Sequence, residues 1–329
     1  MNLNKSQECK YDIVSLGALV HRLDSGTTPT RHARSFKVHV SGAEYNLAAN
    51  ACRYGLKTAV VTGMGDYCIG DMIREHVGTV GVDILGHTFP HTPWSGHHAA
   101  VYSHTPGGCM PNQIDYNRSN EAAVMLQPGM LDYKSIFEGG VRWVHTGGLF
   151  AALAPQMPEL ILEFFQEAKQ RGAVISFDLN YREKLWKHHG GRQKAIDEIT
   201  KLVGYVDVLF GNETDASNSL NIECNIKKQS CVDSKPFIET QQKLRDQFPN
   251  LEIIVTSLRE EIDNNRHLWG AVASVCGEIY QVPAKEISVV CRIGGGDGLA
   301  GGYAAALIKG LSPKDALYAG WASGALVAS

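Results

Sequence analysis

Short apolar runs recur along the chain, each closed by glycine or polar residues, and the stretches between them carry apolar positions at helical spacing. Residues 11–17, 58–63, 142–148, 173–178, 206–210 and 251–256 are aliphatic or β-branched runs that predict buried strands, the first three ending in glycine. Residues 42–54, 71–80 and 157–171 predict helices. In the last of these, Leu160, Ile161, Phe164, Phe165 and Ala168 share one face, and Gly172 follows as a stop. Strands alternating with helices predict an α/β fold with a parallel, doubly wound sheet. Functional loops of such sheets lie beyond the carboxyl ends of the strands. The chain places Gly17, Gly63, Gly147, Asp178 to Asn180, Gly211 to Glu213, and Thr256 with Ser257 at those positions.

Two stretches break the alternation. Residues 22–40 and 95–118 are polar, bear Gly and Pro, and contain short alternating runs such as Ala99 to Ser103. They predict strands that leave the main sheet and form a small β-lid, at about residues 18–40 and 95–118, within one domain spanning 1–329. Repeats at solenoid periods and low-complexity linkers are absent from the sequence.

Composition narrows the function. A chain of 329 residues with 44% hydrophobic and 20% charged positions has the make-up of a soluble globular protein. A net charge of −3 disfavours nucleic acid as a partner, so any phosphate ligand must be held by local donors. No apolar stretch is long enough to span a bilayer, and residues 1–10 lack a signal-peptide core. The eight cysteines (9, 52, 68, 109, 224, 231, 276 and 291) include no C-x-x-C pair, and they read as reduced cytoplasmic thiols that mostly serve packing. The pairs His97-His98 and His188-His189 read as surface or loop histidines.

The chemistry concentrates near residues 293–309. Gly294, Gly295, Gly296 and Asp297 precede an Ala-rich apolar run that predicts a helix. Side-chain-free amides at a helix start suit an anion. An acid at that mouth repels a simple phosphate ligand, but it fits a base that takes a proton from a substrate hydroxyl while the amides stabilise the phosphoryl group under attack. The competing reading is an N-cap with close helix packing. Gly296, Gly298 and Gly301 formally match G-x-G-x-x-G. The pattern lies at the wrong end of the chain for a dinucleotide fold, with Asp297 where pyrophosphate would sit.

Residues 41–48 resemble the first signature of the ribokinase-like (phosphofructokinase-B type) sugar kinases, and Gly294 to Asp297 resembles the second, whose aspartate is the catalytic base. Residues 116–118, 143–147, 177–186, 211–215 and 258–260 resemble the branch of that family that phosphorylates 2-keto-3-deoxygluconate. The resemblance implies a three-layer fold with a mostly parallel central sheet and a β-lid that closes over the sugar and carries a homodimer contact. It implies ATP, Mg²⁺ and phosphorylation of a terminal hydroxyl. It also assigns roles. Asp297 is the base, and the Gly294, Gly295 and Gly296 amides form the anion hole. Gly42, Asn46, Tyr102 and Tyr116 contact the sugar, and Arg118 and Arg182 pair its carboxylate through planar donors. Asn212, Ser257, Arg259, Gly294 and Gly296 face the nucleotide, and Asp215 serves the metal through water.

The sequence departs from the family pattern in places. Cys291 stands where relatives carry an aspartate, which removes a negative group expected to brace the anion-hole turn. Ser103 to Thr105 replaces a more apolar and acidic run on the lid, and Ser41 replaces glycine. Relatives continue beyond Ser329 with a segment that walls the adenine. A fructokinase or ribokinase type, or a catalytically weak sugar-acid-binding protein of the same fold, remain as alternatives.

Overall fold

A computed structural model describes residues 8–105, 113–212, 214–224 and 233–329. Glu213, Cys109, Cys231, the start at residues 1–7 and the centre of the second lid stretch (106–112) lie outside the described residues.

Thirteen strands are described: β1 (Tyr11–Leu16), β2 (Val20–Asp24), β3 (Lys37–Ser41), β4 (Thr58–Asp66), β5 (Val82–Pro90), β6 (Ala100–His104), β7 (Gln113–Asn117), β8 (Val141–Gly147), β9 (Val174–Asp178), β10 (Val208–Asn212), β11 (Ile253–Asp263), β12 (Arg266–Val275) and β13 (Glu278–Ser288). Nine form one sheet in the order β13-β12-β11-β10-β9-β8-β1-β4-β5. The six runs read as strands are all there. The pairs from β5 through β11 are parallel, whereas β11, β12 and β13 form an antiparallel meander. That meander and the edge strand β5 escape the sequence reading, because alternation reports burial and not strand direction.

Helices cover both faces. On one face, Ala43–Arg53, Gly295–Ile308 and Pro313–Ala328 pack around Ile13, Trp143, Phe210, Trp269 and Tyr303. On the other, Met157–Gln170, Gly191–Val203 and Lys235–Gln247 close over Val144, Ile175, Phe177 and Leu209. Helix Gly295–Ile308 is buried nearly all round. Gly301 makes this possible, since a Cβ there would lie 2.7 Å from the Leu47 carbonyl oxygen of the neighbouring helix.

The polar stretches supply a second, four-stranded sheet, β3-β2-β6-β7, in which β2 and β6 are parallel and the outer pairs antiparallel. In the main sheet the chain runs outward from β1 through β4 and β5, then returns to β8 on the other side of β1. This reversal is the switch point beside which α/β sheets bind ligands. No helix among the described residues is long and apolar enough to cross a membrane.

Candidate active site

The carboxyl ends of β8 to β11, the start of helix Gly295–Ile308 and one face of the small sheet enclose a cleft of about 540 Å³. Gly294 begins the helix in a left-handed conformation (φ 85°), which glycine adopts without the clash of a Cβ. The turn before it is tied down by the Val290 and Cys291 N–H groups, both donating to the Ala328 carbonyl at 2.8 and 3.1 Å. Asp297 sits in the first helical turn, and its Oδ2 accepts a 2.7 Å hydrogen bond from Asn46 Nδ2. Burial pushes the Asp297 carboxyl up to about 6, against the Asn46 hydrogen bond and the Arg182 charge, which both favour its ionised form.

Three further acids surround it. Asp178 ends β9, and burial, with Asp215 and then Asp297 adding repulsion, pushes its carboxyl up to about 7. Its Oδ1 accepts from the N–H of Asn180, a left-handed residue (φ 32°) in an Asx turn. Asp215 is buried and raised, yet its two oxygens each accept a backbone N–H, from Tyr181 at 3.2 Å and Asn212 at 3.0 Å. Glu44, in the first turn of helix Ala43–Arg53, has both carboxyl oxygens buried and unpartnered. It fits only because β1 and β8 run into glycines, since a Cβ on Gly17 would come within 2.3 Å of its Oε2. Burial holds its carboxyl up to about 8, so at neutral pH it is mostly protonated.

The remaining sequence-predicted residues divide. Gly42, Asn46, Tyr116, Arg118, Arg182, Asn212, Ser257, Arg259, Gly294, Gly295 and Gly296 all line the cleft with Asp215 and Asp297. Tyr102 does not, and its assignment as a sugar contact is corrected. Strand parity turns Val101 toward the cleft, and Tyr102 onto the opposite face, edge-on to Phe36 at 6.1 Å. Arg118 reaches the cleft, but its Nη1 is 2.9 Å from both oxygens of buried Glu121, so part of its fork is already occupied. The Cys291 thiol faces the small sheet, where it accepts from Arg22 Nη1 at 3.2 Å; backbone bonds rather than this side chain hold the glycine turn. His98 lies in a loop, one of the two alternatives read for its pair, but not at the surface. It is buried, its Nε2 accepts from Gly65 N–H and its Nδ1 meets the Leu19 carbonyl, and burial pulls its imidazole down to about 4. The described cysteines form no disulfide and are half-buried or exposed, and Cys52 packs against the cluster around Ile73 and Val77.

Asp178, Asn180, Arg22, His267 and Arg292 also line the cleft without a role in the sequence reading. Asp178 was within reach, as an acid at the carboxyl end of a predicted strand. Arg22 and His267 carry no local signal, because only strand pairing brings them to the cleft.

The sequence profile of pfkB family carbohydrate kinases matches residues 9–329. The chain belongs to that family. This kinase is 28% identical over 296 residues to the 2-dehydro-3-deoxygalactonokinase of Haloferax volcanii, covering 89% of this chain and 83% of the relative. It is 27% identical over 322 residues to the 2-dehydro-3-deoxygluconokinase of Thermoproteus tenax, covering 97% and 89%. The structure of 2-dehydro-3-deoxygluconokinase from Thermotoga maritima superposes with a TM-score of 0.87 at 24% identity, covering 96% of this chain and 93% of that one. The fold is thus the ribokinase-like α/β fold, with a large mostly parallel sheet and a second small one, and the protein is an ATP-using carbohydrate kinase.

If Asp297 must be ionised to act, the rate rises with pH through about 6. The Asn46 hydrogen bond favours the ionised carboxylate, so removing it raises the pKa. Asn46→Leu is therefore expected to move the acid limb of the kcat profile upward by about a pH unit. An unmoved limb would separate Asn46 from the group that titrates.

Proposed function

We propose that this kinase transfers the γ-phosphoryl group of ATP to the terminal hydroxyl of a 2-keto-3-deoxy sugar acid, with 2-keto-3-deoxygluconate the favoured substrate. The observation that carries the reading is the conjunction of Asp297 at the start of the glycine helix, Asn46 holding it, and Arg182 in the same cleft. The sugar acids named for the Haloferax and Thermoproteus relatives support it. In this reading Asp297 takes the hydroxyl proton as the oxygen attacks. The amides of Gly294, Gly295 and Gly296 receive the growing negative charge on the phosphoryl oxygens. Gly42, Asn46 and Tyr116 orient the sugar. Arg182 pairs its carboxylate, aided by whatever donors Arg118 retains beside Glu121. Asn212, Ser257 and Arg259 face the nucleotide.

Mg²⁺ belongs to the same reading. Asp215 and Asp297 each repel Asp178 within the cleft, and the oxygens of all three are hard donors suited to that ion. No trio of metal-ligating side chains among the described residues forms a cage. This agrees with an ion held by Asp178 and Asp215 largely through water and substrate phosphates, which would neutralise charge on the transferring group. A structure described as an Escherichia coli ribokinase II, in complex with ATP and Mg²⁺, shares the fold (TM-score 0.77). The small sheet acts as the lid, and its outer face, with Phe36, half-exposed Val38 and Tyr102, supports a homodimer contact. We place the enzyme in the cytoplasm.

A neutral-sugar kinase is the second reading, favoured by the engagement of Arg118 with Glu121. ADP release over a panel of sugars and sugar acids with Mg-ATP decides between them. Turnover on 2-keto-3-deoxygluconate, with its C4 epimer next and neutral hexoses far below, is the expected result. A preference for fructose or ribose would overturn the sugar-acid reading.

A further inference from the structure

The cleft is lined by charges of both signs. Asp178, Asp215 and Asp297 line it, and so do Arg259 and Arg292. Both guanidinium groups meet the same atom. Glu261 Oε1 accepts from Arg292 Nη1 at 3.0 Å and lies 3.4 Å from Arg259 Nη2. Two cations sharing one carboxylate oxygen keep a net positive charge, and most of their planar N–H donors are unspent. Glu261 is itself about half exposed, with 48% of its side-chain surface open, so its hold on either arginine is screened by water. Their location is fixed by pairing. Arg259 and Glu261 come from β11, opposite Trp269 and His267 on β12, and Arg292 follows β13 two residues before Gly294. His267 is buried in the cleft wall, where burial and then the charge of Arg259 lower its pKa, so it stands neutral beside the pair.

A nucleoside triphosphate in this cleft carries several negative charges past three carboxylates. The helix amides alone face only the group being transferred, and the rest of the chain of phosphates needs a second positive surface. We infer that Arg292 and Arg259 form a polyphosphate-binding site, with Glu261 a resident counter-ion that the phosphates displace. The inference rests on the proposed nucleotide side of the cleft and adds Arg292 and Glu261 to it. Glu261 gives the proposal an unusual sign. As a plain structural brace, its loss should weaken anion binding. As a competitor with the phosphates for the same donors, its loss should strengthen binding.

The test is calorimetric titration with inorganic tripolyphosphate, without sugar, alongside steady-state kinetics in ATP. Arg292→Gln is expected to weaken tripolyphosphate and raise the KM for ATP about tenfold, with kcat changing much less, as loss of one charge-assisted contact predicts. Arg292→Lys should recover part of the loss, since charge returns without the fork. Glu261→Gln should bind tripolyphosphate severalfold more tightly. Both side chains are partly exposed, and thermal unfolding of each variant checks that the fold is retained. Unchanged binding in Arg292→Gln, or weaker binding in Glu261→Gln, would overturn the inference. The proposed sugar-acid activity fails separately, since the tripolyphosphate titration needs no sugar and gives its answer even if no sugar acid is phosphorylated.

Discussion

Asp297→Asn is expected to lower turnover by roughly two to four orders of magnitude while leaving sugar binding nearly intact. The substitution removes one thing, the capacity to take up a proton. An asparagine oxygen can still accept the hydrogen bond that Asn46 Nδ2 now gives to Oδ2 at 2.7 Å, so the helix start and the glycine turn keep their shape. The loss should therefore appear in kcat, because the proton moves only as the hydroxyl attacks, and substrate affinity by calorimetry should change little. Asp178→Asn is the informative control. Asp178 faces the same cleft, and its carboxyl is held up to about 7, higher than that of Asp297. Its loss should relieve repulsion toward Asp215 and disturb magnesium dependence in place of the chemical step. Retention of most turnover in Asp297→Asn would remove that residue from the chemistry and shift attention to Asp178.

What the sequence made legible follows from the range of each interaction. The glycine turn and the acid after it are contiguous, so their meeting at a helix start can be read from the run Gly294 to Asp297, and Gly294 takes the left-handed conformation that such a turn requires. Most of the parallel part of the sheet was legible for a similar reason, because β4, β8, β9 and β10 are short apolar runs each followed by a helix, whereas β5 is mostly exposed or half-buried. Tyr102 shows where this stops. Whether a strand residue faces the cleft or the outside depends on parity set by the neighbouring strands, and the alternation along β6 does not say which of its two faces meets the cleft. Arg118 shows a second limit. Glu121 lies only three residues away, but nothing in the sequence says that it is buried and so holds the arginine with force. Glu44 is the extreme case. It belongs to a signature that was recognised, yet its environment is made by Gly17 and Gly147, from two different strands. The cluster of Asp178, Arg182 and Asp215 likewise comes from beyond the ends of β9 and β10, neighbours in the sheet, and Asp178 and Asp215 are separated by two α-helices and more than thirty residues of chain.

Arg182→Ala is expected to cost a keto sugar acid far more than a neutral hexose. Arg182 lines the cleft, and among the described residues its guanidinium donates one hydrogen bond, from Nη1 to the carbonyl of its neighbour Tyr181 at 2.9 Å. The rest of its fork is thus left for the proposed sugar acid, unlike that of Arg118, which meets Glu121. Its charge also reaches Asp178, Asp215 and Asp297, holding each of these acids down against burial. Two effects of the substitution must therefore be separated. The pKa of Asp297 rises when the cation is gone, which depresses the rate near neutral pH for every acceptor alike. The lost carboxylate pair acts on the sugar acid only. One charge-assisted pair in a closed cleft contributes about 2 kcal/mol, roughly thirtyfold in kcat/KM. The ratio of kcat/KM for 2-keto-3-deoxygluconate to that for a neutral hexose, measured above pH 8 where Asp297 is ionised in either protein, removes the common effect and leaves the specific one. A fall of about thirtyfold in that ratio assigns Arg182 to the substrate carboxylate. An unchanged ratio would confine Arg182 to holding down the three aspartates and would move the acceptor from sugar acids to neutral sugars.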